Sequence, residues 1–153
     1  IAAGLSINPN NFSLFKKKFI QMANDKILAE DLIPTIHIDS KLSLDKLNSR
    51  MIKFINAMEP YGPGNTRPIF VANNLIVEGI PKLLGKDHNT LKFSVKQNKT
   101  HFESIGFNMA EHYEKLIQNL PIDIAFMIGE NYWNGKKTIQ LELKDIKLSN
   151  NYA

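Results

Sequence analysis

The spacing of apolar residues has a helical period before residue 59 and alternates strictly beyond residue 69. In the first segment, apolar residues recur at three- and four-residue intervals, which places them on one face of a helix. Asn8 and Pro9 suit the start of that helix, because asparagine caps the first turn and proline there loses no hydrogen bond. Residues 2–7 predict the end of a preceding strand. The helical face comprises Phe12, Phe15, Phe19 and Met22.

A second helical pattern follows Ser43, which is a candidate N-cap, and we expect its apolar stripe to pack in the core. Before it, residues 35–39 alternate like a short strand on which His37 and Asp39 share a face. Two ligands without a third nearby make a poor metal site, so we expect an ordinary strand surface there. The apolar stripe consists of Leu44, Leu47, Met51, Phe54, Ile55 and Met58.

Residues 59–70 separate the two periods and contain three prolines and two glycines. The prolines cannot donate ladder hydrogen bonds, and the glycines can adopt backbone angles that are closed to other residues. Neither a helix nor a central strand should run through such a stretch. A flexible linker would be rich in glycine and serine, so we predict a rigid, packed corner instead.

Beyond this corner the alternation predicts five strands and one helix. The first strand covers residues 69–84 and should bend at Gly79 and Pro81. In the second strand, residues 91–96, the apolar odd-numbered positions face one way and Lys92, Ser94 and Lys96 face the other. The remaining elements are strands at residues 101–107, 122–128 and 139–143, with a helix at residues 110–120 between the third and fourth strands.

This order of elements is that of the OB-fold, a five-stranded Greek-key barrel with a helix between its third and fourth strands. The pattern alone fits a small α+β sheet nearly as well. The choice between the two therefore needs information beyond periodicity.

Five segments, taken in order, resemble the RecJ family of single-stranded-DNA-specific exonucleases, which degrade DNA from the 5′ end. The resemblance covers nearly the whole chain and favours the OB-fold. It implies a mainly β chain with helices (α+β) in three parts. These are the tail of a DHH-associated domain at residues 1–34, a strand–helix connector packed on the barrel at 35–60, and an OB-fold nucleic-acid-binding domain at 61–150. The segments are AAGL (2–5), EPYGPGNTRPIF (59–70), LLGKDHNTLKFSV (83–95), ESIGFNM (103–109) and ENYWNGKKTIQLELKDIKL (130–148).

The resemblance also implies what lies outside this sequence. The family's Gly-Gly-His motif and its metal-binding aspartates and histidines stand upstream of the AAGL segment. We therefore expect a non-catalytic piece of a longer enzyme, which would use Mn²⁺ or Mg²⁺ to hydrolyse single-stranded DNA in recombination and repair. The sequence contains no GxSxG, HExxH or phosphate-cradling motif, so we expect no active site, cofactor or metal in this piece.

Composition limits the cellular compartments that suit this protein, but it does not identify a binding partner. The formal net charge of +4 permits a polyanionic partner but does not require one. The absence of cysteine excludes disulfides and thiol chemistry and fits a reducing compartment. No bilayer-length apolar run and no basic-then-apolar leader is visible, so we expect a cytoplasmic protein without a membrane partner.

OB barrels bind oligonucleotides on the face of their second and third strands and with the loops that join strands one to two and four to five. Here those loops are residues 85–90 and 131–135. The second loop places two aromatic residues beside two lysines, so that a base can stack on a ring while an ammonium meets the phosphate. The alternatives are that Trp133 plugs the barrel end and that each lysine is simply solvated. The candidate contacts are Arg67, Lys86, His88, Lys92, Lys96, Tyr132, Trp133, Lys136 and Lys137.

Asp87, Glu103 and Glu130 weaken this positive surface, so we expect a patchy groove that contacts the DNA backbone and stacked bases. The second hypothesis is a structural or protein-docking domain, which braces the catalytic core or recruits a partner such as the single-strand-binding protein. Its support is the apolar content of residues 44–58 and the packed corner. Replacing Trp133 with alanine separates the two hypotheses, because only the first requires that ring for DNA affinity.

Overall fold

The computed structural model describes residues 4–149, and the chain divides into two compact units, Ile1–Ile36 and His37–Ala153. In the first unit, the Asn8 side chain accepts the backbone N–H of Asn10 at 3.0 Å and caps a 3-10 turn, Pro9–Asn11. Helix α1, Phe12–Lys26, follows directly, as predicted. Residues 4–7 form no strand, so the strand predicted at residues 2–7 is wrong over these positions; residues 2 and 3 lie outside the described chain.

Up to residue 149, the second unit contains one mixed sheet and two short helices. The helices are α2, Ser49–Ala57, and α3, Tyr113–Leu116, each preceded by a 3-10 turn at Leu44–Lys46 and Ala110–His112 respectively. The strands are β1, Ser40–Lys41; β2, Phe70–Leu84; β3, Thr90–Gln97; β4, Thr100–Phe107; β5, Ile122–Trp133; and β6, Lys136–Leu148.

The sheet follows the order β1-β2-β3-β4-β6-β5, and a further pairing between β2 and β5 returns it to its first long strand. β2 closes the sheet, because it pairs with β5 through its first residues and with β3 through its later ones. Closure is partial, because the parallel pairing of β4 with β6 is short, from Glu103 to Ile105. This is the partly open Greek-key arrangement of the OB-fold, and it confirms the predicted strand order.

The bend in β2 allows that strand to serve two neighbours. Gly79 adopts a φ of +76°, and the register against β3 shifts between Glu78 and Lys82. A left-handed backbone angle is open to glycine at little steric cost, so the residue type fits the bulge. The bend predicted at Gly79 and Pro81 is therefore confirmed.

The core lies inside the curved sheet and takes residues from the connector as well as from the strands. Leu91, Phe93 and Val95 of β3 point inward, as their alternation predicts. Alternating residues of β5 and β6, including Ile128 and Leu141, complete the interior. The connector contributes Leu44, Leu47, Ile52 and Ile55 to the same cluster.

Three predictions about the connector are wrong in detail. The apolar stripe is only partly in the core, because Phe54 and Met58 are exposed. No strand forms at residues 35–39; the pairing starts later, where Ser40 and Lys41 lie parallel to Phe70 and Val71. The helix predicted from Ser43 is also divided, because the Asn48 side chain accepts the backbone N–H groups of the next turn and starts α2 anew. Ser43 takes the N-cap position of the 3-10 turn, but its hydroxyl makes no capping hydrogen bond and donates to Gln97 at 2.9 Å instead.

The helix predicted at residues 110–120 is shorter than expected, since only the 3-10 turn and the four residues of α3 form. Asn119 adopts a φ of +55°, which turns the chain out of the helix before Pro121. The corner at residues 59–70 is fixed by hydrogen bonds, but residues 62–66 are exposed, so it is less packed than predicted. The Asn65 amide donates to the carbonyls of Met58 and Pro60 at 2.9 Å each, and the Tyr61 hydroxyl donates to the Ile55 carbonyl.

Candidate nucleic-acid interface

The tip of the β5–β6 hairpin displays both candidate aromatic rings to solvent. Asn134 and Gly135 have φ angles of +48° and +74°, the geometry of a two-residue hairpin turn. The rings of Tyr132 and Trp133 are 71% and 73% exposed, so Trp133 does not plug the barrel. Because neighbouring residues of a strand point to opposite faces, the two rings lie on opposite sides of the hairpin.

The Trp133 side of this hairpin borders an open groove of about 600 Å³. Trp133 pairs with Lys136 across the turn, and directly opposite residues of an antiparallel pair share a face. Lys92 of β3 and Glu103 of β4 lie on the outward face of the barrel and line the same groove. Its lining is Lys92, Glu103, Asn131, Trp133, Asn134, Lys136 and Thr138.

Several candidate lysines already have a carboxylate partner. Lys92 Nζ lies 3.0 Å from Glu103 Oε1, and Lys137 Nζ lies 2.8 Å from Glu130 Oε2. Lys96 makes a longer pair of 3.6 Å with Glu78. The positive charge of the surface is therefore interrupted by acidic groups, as the sequence predicted for Glu103 and Glu130.

Lys136 differs from these lysines in its surroundings. Among residues 4–149 it takes part in no ion pair, and it lines the groove directly opposite Trp133. An unpaired ammonium beside an exposed ring is suited to a phosphate whose base stacks on that ring. Of the candidate contacts, Trp133 and Lys136 thus have the geometry that the chemistry needs.

Arg67 is engaged within the chain. Its Nη2 donates to the Ile128 carbonyl at 2.5 Å, and its Nη1 lies 3.9 Å from Glu142 Oε1. Its Nε is buried without a hydrogen-bond partner among the described residues. Arg67 therefore ties the corner to β5, and its contact with nucleic acid stays a prediction.

Lys86 and His88 lie on the exposed turn between β2 and β3. Gly85 and His88 both have positive φ angles there, +88° and +49°, which tighten the turn. Neither Lys86 nor His88 is among the residues that line the Trp133 groove. Their part in binding also stays a prediction.

Sequence reasoning missed Thr138 and Lys82, and it placed Asn131 in a binding loop without naming it as a contact. Asn131 and Thr138 are paired across the hairpin and line the groove. An Asn-Gly dipeptide is a strong signal for a two-residue turn. Such a turn fixes the register of the two strands, and this register alone would have placed residues 131 and 138 beside Trp133. Lys82 lies directly opposite Lys92, a pairing that the bulge in β2 concealed.

The clearest buried charge lies away from the groove, at Asp123. Burial alone would raise the pKa of this carboxyl, but its hydrogen bonds outweigh burial and lower the pKa below its ordinary value. The donors are Ser149 Oγ at 2.6 Å and the Asn74 backbone N–H at 3.0 Å. Lys147 adds a weaker attraction at 4.0 Å. Asp123 therefore acts as a structural anchor between β2, β5 and the end of β6.

The described residues do not fit the metal set that the resemblance implies for the whole enzyme. Within residues 4–149, no three His, Cys, Asp or Glu side chains come together as ligands. Asp39 uses its carboxylate to accept the Ile69 backbone N–H at 2.8 Å. In the same part of the chain, no helix is long and apolar enough to cross a membrane.

The partly open barrel with its aromatic and cationic groove defines an OB-fold domain. The family model for the RecJ OB domain matches residues 38–145. The chain therefore belongs to the RecJ OB domain family, which confirms the resemblance seen in the sequence.

Comparison with individual proteins agrees. The chain is 24% identical over 149 residues to the single-stranded-DNA-specific exonuclease RecJ of Bacillus subtilis, covering 97% of this chain and 19% of that protein. It is 26% identical over 143 residues to RecJ of Haemophilus influenzae, covering 92% and 24%. The crystal structure of Thermus thermophilus RecJ in complex with Mn²⁺ matches with a TM-score of 0.71 at 21% identity, covering 94% of this chain and 20% of that one. The chain thus spans about a fifth to a quarter of these relatives.

Proposed function

We propose that this OB domain holds single-stranded DNA for a RecJ-type exonuclease that degrades strands from the 5′ end. The setting would be DNA recombination and repair in the cytoplasm. The domain itself binds the strand and does not hydrolyse it. Mn²⁺ or Mg²⁺ would serve hydrolysis elsewhere in the whole enzyme. The relatives support this proposal, since two of them are single-stranded-DNA-specific exonucleases and the structure of a third contains Mn²⁺.

The observation that carries the proposal is the pairing of Trp133 with Lys136 at the hairpin tip. The ring is exposed, and the ammonium has no ion-pair partner among the described residues. Stacking accepts any base, because every base has a π-face, and the lysine meets the backbone phosphate that every nucleotide carries. Such a site grips a single strand without reading its sequence. In a duplex the bases are already stacked on one another, so the ring has no free face to meet.

The test is fluorescence anisotropy of a labelled oligothymidylate, with a labelled duplex of equal length as the control. We expect the single strand to bind more tightly than the duplex. The logarithm of its affinity should fall linearly with the logarithm of salt concentration, by about 0.7 for each phosphate neutralised. Absence of binding at low salt, or affinity that ignores salt, would contradict the proposal.

A second candidate function is protein docking, which the outer face of α2 favours. Phe54 is 61% exposed, Met58 is also exposed, and the Arg50 guanidinium lies 5.6 Å from the centre of the Phe54 ring. Such a face could brace the catalytic core or recruit the single-strand-binding protein. Binding of that purified protein, lost in Phe54→Ala but kept in Trp133→Ala, would support docking. The reverse pattern on single-stranded DNA supports the first function.

A further inference from the structure

Two lysines face each other on the outward side of the barrel. Lys82 of β2 and Lys92 of β3 are direct partners in the antiparallel ladder. Residues so placed share a face, with Cβ atoms about 4.5–5.5 Å apart, and like charges there repel. Lys82 is exposed and takes part in no ion pair within residues 4–149. The position therefore holds more positive charge than its neighbours neutralise, which favours an anion.

Glu103 supplies one negative charge to this position. Its Oε1 lies 3.0 Å from Lys92 Nζ. Ile105 is the β4 partner of Lys92, and Glu103 lies two residues before it, so the carboxylate stands on the same outward face. Lys92 and Glu103 also line the groove that Trp133 borders. The carboxylate thus lies where the phosphate of a strand stacked on Trp133 would pass.

The Lys92–Glu103 ion pair can exchange its carboxylate for a phosphate. The side chains of Lys92 and Glu103 are 32% and 46% exposed, and an ion pair open to water contributes little net stability. A phosphate oxygen offers Lys92 the same kind of charge-assisted hydrogen bond as a carboxylate oxygen does. Replacing one by the other leaves the lysine satisfied and returns Glu103 to solvent.

We infer that Lys82 and Lys92 form a phosphate seat, and that the carboxylate of Glu103 occupies the Lys92 side of it until the backbone of a nucleic acid displaces it. This inference rests on the proposed function. Glu103 lowers the affinity of the groove, because each phosphate must displace a charge that is already in place. The groove holds a strand loosely as a result, which suits an enzyme that shortens the strand it holds.

The first test compares Glu103→Gln with wild type by oligothymidylate anisotropy across a salt series. Glu114→Gln is the matched control, because it changes net charge equally on exposed α3 residue 114, outside the groove lining. We expect Glu103→Gln to bind roughly two- to fivefold more tightly, the scale of an exposed ion pair. Its salt dependence should match that of wild type, because the same number of phosphates is neutralised in both proteins once Glu103 is displaced. Lys82→Gln should weaken binding.

A double-mutant cycle then asks whether Glu103 acts through Lys92. In a Lys92→Gln background, the further change Glu103→Gln should gain no more affinity than Glu114→Gln does. A gain that persists without Lys92 would overturn the inference, because Glu103 would then repel DNA without occupying a seat.

The outcomes separate this inference from the proposed function. If wild type binds the oligonucleotide but Glu103→Gln binds no better than Glu114→Gln, the phosphate seat is wrong and the proposed function stands. If wild type and Glu103→Gln both fail to bind at low salt, the proposed function fails and the inference fails with it.

Discussion

The side-chain oxygen of Gln97 accepts the backbone N–H of Leu44 at 2.8 Å, which joins the connector to the end of β3. The same oxygen accepts the Ser43 hydroxyl, and the Gln97 amide donates to the Asn73 carbonyl of β2 at 2.9 Å. Leu44 is fully buried, so its N–H has no access to water. One side chain thus holds three parts of the domain together.

We therefore expect Gln97→Ala to destabilise the domain by about 1–3 kcal/mol, the cost of leaving a buried polar group unpaired. Urea unfolding followed by circular dichroism would measure the change. Gln118→Ala, at an exposed turn position, is the control and should change stability little. Equal stability of the two variants would show that the Gln97 hydrogen bonds contribute nothing net.

Asp123 predicts a specific dependence of stability on pH. Its pKa is lower in the folded than in the unfolded state, so it stabilises the fold at pH values above its ordinary pKa of 3.8. That contribution is lost as the pH falls through the lowered folded value. Asp123→Asn keeps acceptors for Ser149 and Asn74 but cannot titrate. The free energy of unfolding of this variant should therefore fall less steeply below about pH 4 than that of wild type.

The control for this experiment is Asp87→Asn in the exposed β2–β3 turn. It removes a carboxyl that makes no ion pair among the described residues. The difference between the two variants isolates the effect of the Asp123 carboxyl. If the free energy of unfolding of wild type and of Asp123→Asn changed with pH in parallel, the charged form of Asp123 would not stabilise the fold.

Gly129 lies next to Glu142, whose carboxylate forms an ion pair with Arg67. A Cβ atom at this position would meet Glu142 Oε1, and Glu142 would have to move away from Arg67. Because the obstacle is the end of a flexible side chain, we expect Gly129→Ala to destabilise the domain by only about 1 kcal/mol. Gly62→Ala has open space around the added atom and is the control. In a Glu142→Ala background the cost of Gly129→Ala should vanish; its persistence would place the clash elsewhere.

Trp133→Ala should weaken the binding of single-stranded DNA by roughly 5- to 150-fold, which corresponds to about 1–3 kcal/mol for one stacked base. Stability should change little, because the ring is exposed. Phe54→Ala removes another exposed ring, on α2, and should leave DNA affinity unchanged. Anisotropy titrations and unfolding curves of both variants make the comparison, and equal losses of affinity would contradict a specific role for Trp133.

The strands of the barrel could be predicted from the sequence because alternation reports which face is buried, and Leu91, Phe93 and Val95 are examples. The strand expected at residues 35–39 was misplaced because its position depends on a distant partner, Phe70. The helix after Ser43 was divided because the cap at Asn48 outweighed a continuous apolar stripe.

The candidate site was less predictable than the fold. Tyr132 and Trp133 stood out by residue type and by the two lysines that follow the turn. The partners of the lysines did not, because Lys92 meets Glu103 only through the register of β3 against β4. The internal role of Arg67 likewise depends on the carbonyl of Ile128, 61 residues further along the chain.

The intrinsic fluorescence of Trp133 tests the central claim most directly, because this is the only tryptophan in the chain. Unlabelled oligothymidylate should quench its emission in a saturable titration, and added salt should restore the emission as the strand dissociates. Emission that stays constant while anisotropy shows the labelled strand fully bound would contradict stacking on Trp133.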